Sequence, residues 1–244
     1  MKKSIVLLIM CALLMPTLMQ AQWSSNQKIR GNGNFISENR ITSSYEKIAI
    51  AGFFDVELVS GKEGNIIVKG EENLLPFIKI EVVDQVLKIS IEKNKYISVS
   101  KRKGIVIIVP FEAINQVTLS GSGDIIGKNK IKSKNFSITL KGSGDVDLEI
   151  EATNVDVNLT GSGDIDLSGN TENINSDLNG SGDIDATKLK ALNANVTVSG
   201  SGDNAVNCSE SFYGRVTGSG EIKYAGEPKK KDSKVTGSGS IKKY

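Results

Sequence analysis

Five aspartates recur at almost constant spacing through the second half of this 244-residue chain: Asp124, Asp145, Asp164, Asp183 and Asp203. Each follows Gly-Ser-Gly, and after the remaining copies of that tripeptide the place is taken by Glu221 and Ser240. A file of carboxylates first suggests calcium, a hard cation that takes oxygen ligands. Calcium-binding β-helix repeats, however, supply ligands from both corners of every coil. Here one corner alone carries the acid, and Glu221 or Ser240 replaces it with no other change. The expectation is turn chemistry: glycines supply the positive φ of a corner, while the Ser hydroxyl and Asp carboxylate accept backbone N–H groups. No metal or cofactor is assigned.

Other residues could do chemistry in different ways. Asp147, Asp156, Asp166 and Asp185 could form carboxylate pairs of the kind used in glycoside hydrolysis, although a solvated polar face explains them equally well. The chain has no histidine, which removes the commonest general base and zinc ligand. Gly-Ser-Gly-Asp is not a phosphate loop, because no Gly-Lys-Ser/Thr follows. A basic cluster of Lys93, Lys95, Lys101, Arg102 and Lys103 surrounds Tyr96. Lys93, Tyr96, Lys101, Arg102 and Lys103 are the candidate ligand-binding residues, for an anionic polysaccharide or lipid headgroup met by charge and a sugar ring met by the tyrosine. A second basic run is Lys229 to Lys231. No catalytic residue is assigned.

The elements that position these residues are set by the repeat. Gly-Ser-Gly begins at 121, 142, 161, 180, 200, 218 and 237, at intervals of 21, 19, 19, 20, 18 and 19. Two residues before each first glycine stand Leu119, Leu140, Leu159, Leu178, Val198, Val216 and Val235. After the acidic position come Ile125, Val146, Ile165, Ile184, Asn204, Ile222 and Ile241. Intervening positions are polar, so the period is two: strands with one buried face. One coil cannot bury that face alone, but stacked coils can, with equivalent residues about 4.8 Å apart. The fold class is therefore all-β, a parallel β-helix or β-solenoid with about seven coils, each of about 19 residues. A second corner is expected near Glu151–Asn154 and Ser168–Thr171. Repeat intervals leave no room for the long inserted loops from which β-helix enzymes build clefts.

Residues 45–116 are also β-like but irregular, and read as an N-terminal cap region continuous with the solenoid at 117–244. Residues 22–44, rich in Ser, Asn and Gly, read as a flexible tether. At the far end Lys229, Lys230, Lys231, Lys234, Lys242 and Lys243 charge the last coil, which discourages edge-to-edge pairing. The opening Met1-Lys2-Lys3, an apolar run and Met19-Gln20-Ala21 have the order of a secretory signal peptide cut after Ala21. Its removal lowers the 30 basic residues to 28, level with the 28 acidic ones, so no global basic field points to nucleic acid. Cys208 is then the one cysteine left, expected to pack as a small residue without a disulfide. No transmembrane segment is expected in the mature chain.

Tyr45-Glu46-Lys47-Ile48, Gly52-Phe53-Phe54-Asp55-Val56, Val82-Val83-Asp84-Gln85-Val86-Leu87-Lys88-Ile89 and the Gly-Ser-Gly-Asp ladder together resemble the "putative auto-transporter adhesin, head GIN domain" family over about residues 40–244. One departure is Asp84-Gln85, where Asn-Gly or Asp-Gly would favour a tight hairpin. The resemblance implies a secreted or surface β-helical protein, mostly from Bacteroidetes, with an adhesive role and no catalytic residues to carry over. The function expected is a non-enzymatic exported or cell-surface protein with a polysaccharide or surface-protein partner, in the periplasm, at the outer membrane or outside the cell. A homo-oligomer is left open. The alternative is a carbohydrate-active β-helix enzyme with its site in the N-terminal half.

Overall fold

Alternating aliphatic and polar residues make two-faced strands, and the corner glycines decide where they turn. The computed structural model describes residues 28–100 and 104–244. The expected leader and its cut after Ala21 lie outside the described residues, as do Lys101, Arg102 and Lys103. In chain order the first half holds β1 (Lys28–Arg30), β2 (Phe35–Ile41), β3 (Lys47–Gly52), β4 (Asp55–Ser60) and β5 (Asn65–Glu71). A 3-10 turn (Leu75–Phe77) leads to β6 (Ile78–Val83), β7 (Val86–Ile91), β8 (Tyr96–Ser98) and β9 (Val106–Phe111). The repeats are β10 (Gln116–Gly121), β11 (Ile125–Gly127), β12 (Ile131–Gly142), β13 (Val146–Gly161) and β14 (Ile165–Gly180). They continue as β15 (Ile184–Gly200), β16 (Asp203–Gly218), β17 (Glu221–Ala225), β18 (Lys230–Gly237) and β19 (Ser240–Lys243).

Successive repeats pair in parallel and in register. Leu119, Leu140, Leu159, Leu178, Val198, Val216 and Val235 form one ladder. Ile125, Val146, Ile165, Ile184, Asn204, Ile222 and Ile241 form another. Both ladders face inward and are buried until the last coil, so the protein is a parallel β-solenoid. The polar interruption at Asn204 is matched by Ser176 in a neighbouring ladder: the buried Asn204 amide donates to Ser176 Oγ at 2.8 Å.

Two expectations for the first half are corrected. The region 45–116 is not merely an irregular cap, because β3 lies parallel on β10 and β4 on β11, with Gly52 in register with Gly121. Beyond them β7 lies parallel on β3 and β9 on β4. The solenoid thus gains two layers, hidden in the sequence because Phe53-Phe54 replaces Ser-Gly at the Gly52 corner and because the chain leaves the stack between them. Residues 28–41 are not a tether either. β2 pairs antiparallel with β5, and Arg40 on β2 donates from its guanidinium to the carbonyls of Leu75 (2.7 Å) and Ile78.

The end of the stack is closed by antiparallel pairing: β6 covers the free edge of β7, and β5 that of β9. β6 and β7 meet through Asp84 and Gln85, whose φ values of 53° and 62° make the two-residue hairpin despite the missing glycine. Both central residues of such a turn need positive φ. Asp accepts that conformation readily, and the six-residue ladder holds Gln85 in it.

At the other end the outer edge of β18 and β19 has no strand partner among the described residues. Side chains close the core there. Phe212 and Tyr224 stack at 4.4 Å, and Lys231, in the ladder position occupied by Phe212 one coil earlier, lies over Tyr224 at 5.5 Å. Lys229, Lys242 and Lys243 pair with Glu210, Glu221 and Glu227. Charge on an exposed edge, some of it pointing inward, hinders strand addition. Cys208 is buried and free beneath this end, and burial pushes its thiol up to about 11, partly opposed by Lys231.

Candidate functional site

The acidic file becomes a hydrogen-bonded ladder in three dimensions. The backbone N–H groups of Asp145, Asp164, Asp183, Asp203 and Glu221 each donate to the carboxylate one coil earlier, at 3.2, 3.1, 3.0, 2.8 and 3.1 Å. Asp124 donates in the same way to Asp55, the rung that the altered Gly52 corner concealed. Carboxylates about 4.8 Å apart repel by about 0.9 kcal/mol even in bulk water. A hydrogen bond to a charged group contributes about 1.5–3 kcal/mol, so the ladder offsets its own repulsion without a cation. Among the described residues, no group of acidic or cysteine side chains is placed to hold a metal ion. The Ser hydroxyls depart from expectation. From Ser122 to Ser219 they are exposed and make no hydrogen bond among the described residues, because the N–H and C=O groups near them already bond to the adjacent coils.

A second ladder went unnoticed in the sequence. At the corner opposite the glycines, Asn154, Asn173 and Asn193 donate in turn to Asn135, Asn154 and Asn173 at 2.7, 2.8 and 3.0 Å, and Ser211 donates to Asn193. Its signal was present as asparagine recurring at 135, 154, 173 and 193, but an alignment centred on the glycines passes over it.

Asp147, Asp166 and Asp185 are register neighbours on an exposed limb. Partial burial and then the flanking Asp185 and Asp147 raise the Asp166 carboxyl above its ordinary value. Asp156 accepts instead from Asn175 at 2.8 Å. These carboxylates lie along flat strands, without the facing pair across a cleft that glycoside hydrolysis needs.

Of the candidates, Lys93 and Tyr96 lie among the described residues, and Lys28 and Arg30, from the stretch expected to be a tether, come to stand beside β8. β1 and β8 make a separate parallel ribbon with Lys28 beside Tyr96, Ile29 beside Ile97 and Arg30 beside Ser98. Ile97 is buried, whereas Lys28, Arg30 and Tyr96 are exposed. Lys93 stands on the turn before β8, and Lys95 is drawn over the Phe77 ring at 5.5 Å. Lys28, Arg30, Ser98 and Val99 line a hollow of about 510 Å³. Among the described residues no carboxylate forms an ion pair with Lys28, Arg30 or Lys93. The one sequence signal for Lys28 and Arg30 is the charged–apolar–charged alternation Lys28-Ile29-Arg30.

A buried carboxylate holds the ribbon. Glu71 accepts from the backbone N–H of Gly33, from the N–H of Ser100 at 2.8 Å and from the Ser100 hydroxyl. A β-carbon on Gly31 would stand 1.9 Å from a Glu71 oxygen, so a larger residue there would push the carboxylate off its partners.

A stack of parallel coils with one end closed by strands and side-chain ladders along its corners belongs among the parallel β-solenoids. More particularly, the chain belongs to the family described as "Putative auto-transporter adhesin, head GIN domain", whose model matches residues 44–228. It is similar to the crystal structure of a "putative adhesin" from Bacteroides fragilis, with 28% identity and a TM-score of 0.83 over 88% of this chain and 100% of that one. A "putative lipid binding protein" from Parabacteroides distasonis shares 26% identity, with a TM-score of 0.73 over 89% and 100% of the two chains. A "putative adhesin" from Parabacteroides merdae, at 20% identity and a TM-score of 0.71 over 89% and 99%, shares the fold. The comparison with curated proteins finds no match. These likenesses support a non-enzymatic, adhesin-like role. No helix among the described residues is long and apolar enough to cross a membrane.

Proposed function

We propose that this protein is an exported adhesin-like rod that binds an anionic polysaccharide on the basic face at its strand-capped end. The observation that carries the reading is the β1–β8 ribbon, which sets Lys28 beside exposed Tyr96 and, with Arg30 beside Ser98, lines a hollow whose two cations have no carboxylate partner among the described residues. Cations without a carboxylate partner among the described residues offer their charge to a ligand, and the tyrosine offers a face on which a sugar ring can stack. Lys93 extends the face, and Lys101, Arg102 and Lys103 adjoin it in sequence. In this reading the protein acts in the periplasm, at the outer membrane or outside the cell, after cleavage behind Ala21.

Binding to uronate-containing and sulfated polysaccharides, measured by biolayer interferometry at rising salt, tests the proposal. Affinity should fall with salt, and Lys28→Glu with Arg30→Glu should abolish binding without moving the melting temperature. Unchanged binding in that variant refutes it, and release of reducing sugar would favour the enzyme alternative. A second reading takes support from an apolar hollow of about 480 Å³ lined by Phe35, Ile36, Gly104 and Val106 with Lys69 beside it, and from the name of the Parabacteroides distasonis relative. It makes the same end a docking point for anionic lipid. Co-flotation with phosphatidylglycerol vesicles, but not with phosphatidylcholine vesicles, would favour it.

A further inference from the structure

A groove runs along the corner opposite the glycines, across the strands from β12 to β16. Its volume is about 770 Å³, and it lies on a different part of the surface from the basic face. Ala152 and Ala191 form its floor beside Leu192, which is 44% exposed. Polar groups recur along its wall in register, as Glu151, Asn170, Lys190 and Asn207 on successive strands. Ladder register slips at this same place: β15 and β16 lose step between Ala186 and Lys190 and again between Ala191 and Asn193. β14 and β15 also lose step, between Asp166 and Ser168, whereas β12 to β14 run in unbroken correspondence apart from the corners. Bulges re-aim side chains and are common beside binding sites.

From these features we infer a second binding site in this groove, for a neutral glycan chain lying along the solenoid axis. Five observations select that ligand class. The strands beneath the groove are paired on both sides within the stack, so a peptide has no free edge to extend as an added strand. Wall groups alternate amide, carboxylate and ammonium, which suits hydroxyls that both donate and accept. Glu151 is already paired with Lys130 and Lys132, and Glu172 balances Lys190 in charge, so the groove has no excess of positive charge to draw a polyanion. Aliphatic floor residues match the C–H faces of sugar rings. Rungs recur about every 4.8 Å, close to the length of one sugar residue, so the groove offers a repeated contact to a repeating polymer.

The full chain is tested against soluble oligosaccharides of graded length from dextran, mannan, cellulose and starch, by isothermal titration and by saturation-transfer NMR. For at least one series, affinity should rise with length and level off at about four residues, the number of coil-to-coil steps the groove spans. Glu172→Gln and Leu192→Lys, both at exposed positions, should each weaken binding at least about ten-fold with an unchanged melting temperature. The salt dependence should be slight, because the ligand is uncharged. Lys28→Glu should leave this binding intact, which separates it from the polyanion site. Failure of all four series to bind, or binding indifferent to both groove variants, overturns the proposal. So does binding that disappears with Lys28→Glu.

Discussion

Replacing Gly161 with alanine tests the stacking of the corners at a single atom. Gly161 has φ of +137°, and a β-carbon there would stand 2.1 Å from the carbonyl oxygen of Gly142 in the coil before. Ordinary contact needs about 3.4 Å or more, so the corner must move away by more than an ångström. Three bonds are at stake: Ser162 N–H and Gly163 N–H to Gly142 O at 2.9 and 3.2 Å, and Asp164 N–H to Asp145 Oδ1 at 3.1 Å. Unfavourable φ costs about 1–3 kcal/mol. Losing two of those bonds adds about 0.5–1.5 kcal/mol each, and the sum is a destabilisation of about 2–6 kcal/mol. Urea unfolding followed by circular dichroism measures it, with Ser162→Ala as the control at an exposed neighbour, expected within about 0.5 kcal/mol of wild type. A Gly161→Ala protein as stable as the Ser162→Ala control would refute the claim that glycine is required by the stacked corner.

Leu159→Asp should destabilise the rod by several kcal/mol and Asn158→Asp by less than about half of one, because the first side chain is buried in the ladder and the second faces solvent; equal thermal shifts would show the faces reversed. Asn173→Ala removes an amide that donates to Asn154 and accepts from Asn193, and should cost about 1–3 kcal/mol in urea unfolding. Glu221 is held down to about 2, chiefly by Lys242 and then by Ser240. A lowered carboxyl stabilises the fold above its unfolded value near 4.5 and loses that contribution as pH falls towards 2, so amide exchange in β17–β19 should accelerate across that window, and less so in Lys242→Met. Because backbone N–H groups serve the acidic ladder, melting curves in chelator and in millimolar calcium should coincide, and a rise of many degrees with calcium would contradict the ladder's self-sufficiency.

The repeat half was legible because one chemical reason acted at every coil. The close approach of corner backbones demands glycine, and a shared interior demands Leu, Val or Ile at a fixed distance from it. Where two causes act together the trace fades. At Gly52 the corner keeps its first glycine and Asp55 but fills the remainder with Phe53 and Phe54, so a stacked layer looks irregular in sequence. β1 and β2 were hidden for a different reason. They pair with strands at 96–98 and 65–71, and no local pattern in a polar stretch announces so distant a partner. Half of the basic face therefore stayed out of sight, since Lys28 and Arg30 acquire meaning only beside Tyr96.

The order of the layers, β7/β9, then β3/β4, then β10/β11, is not the order of synthesis. The β3/β4 layer is laid down first and has two free edges. β7 and β9 occupy one of them and are themselves sealed by β6 and β5. The single edge then remaining accepts β10 and β11, so the array can extend in one direction only. Length and specificity are thereby uncoupled: whole coils can be gained or lost at the far end while the ribbon of β1 and β8 keeps its place beside the sealed one, much as a mast can be lengthened without changing what is fixed at its foot.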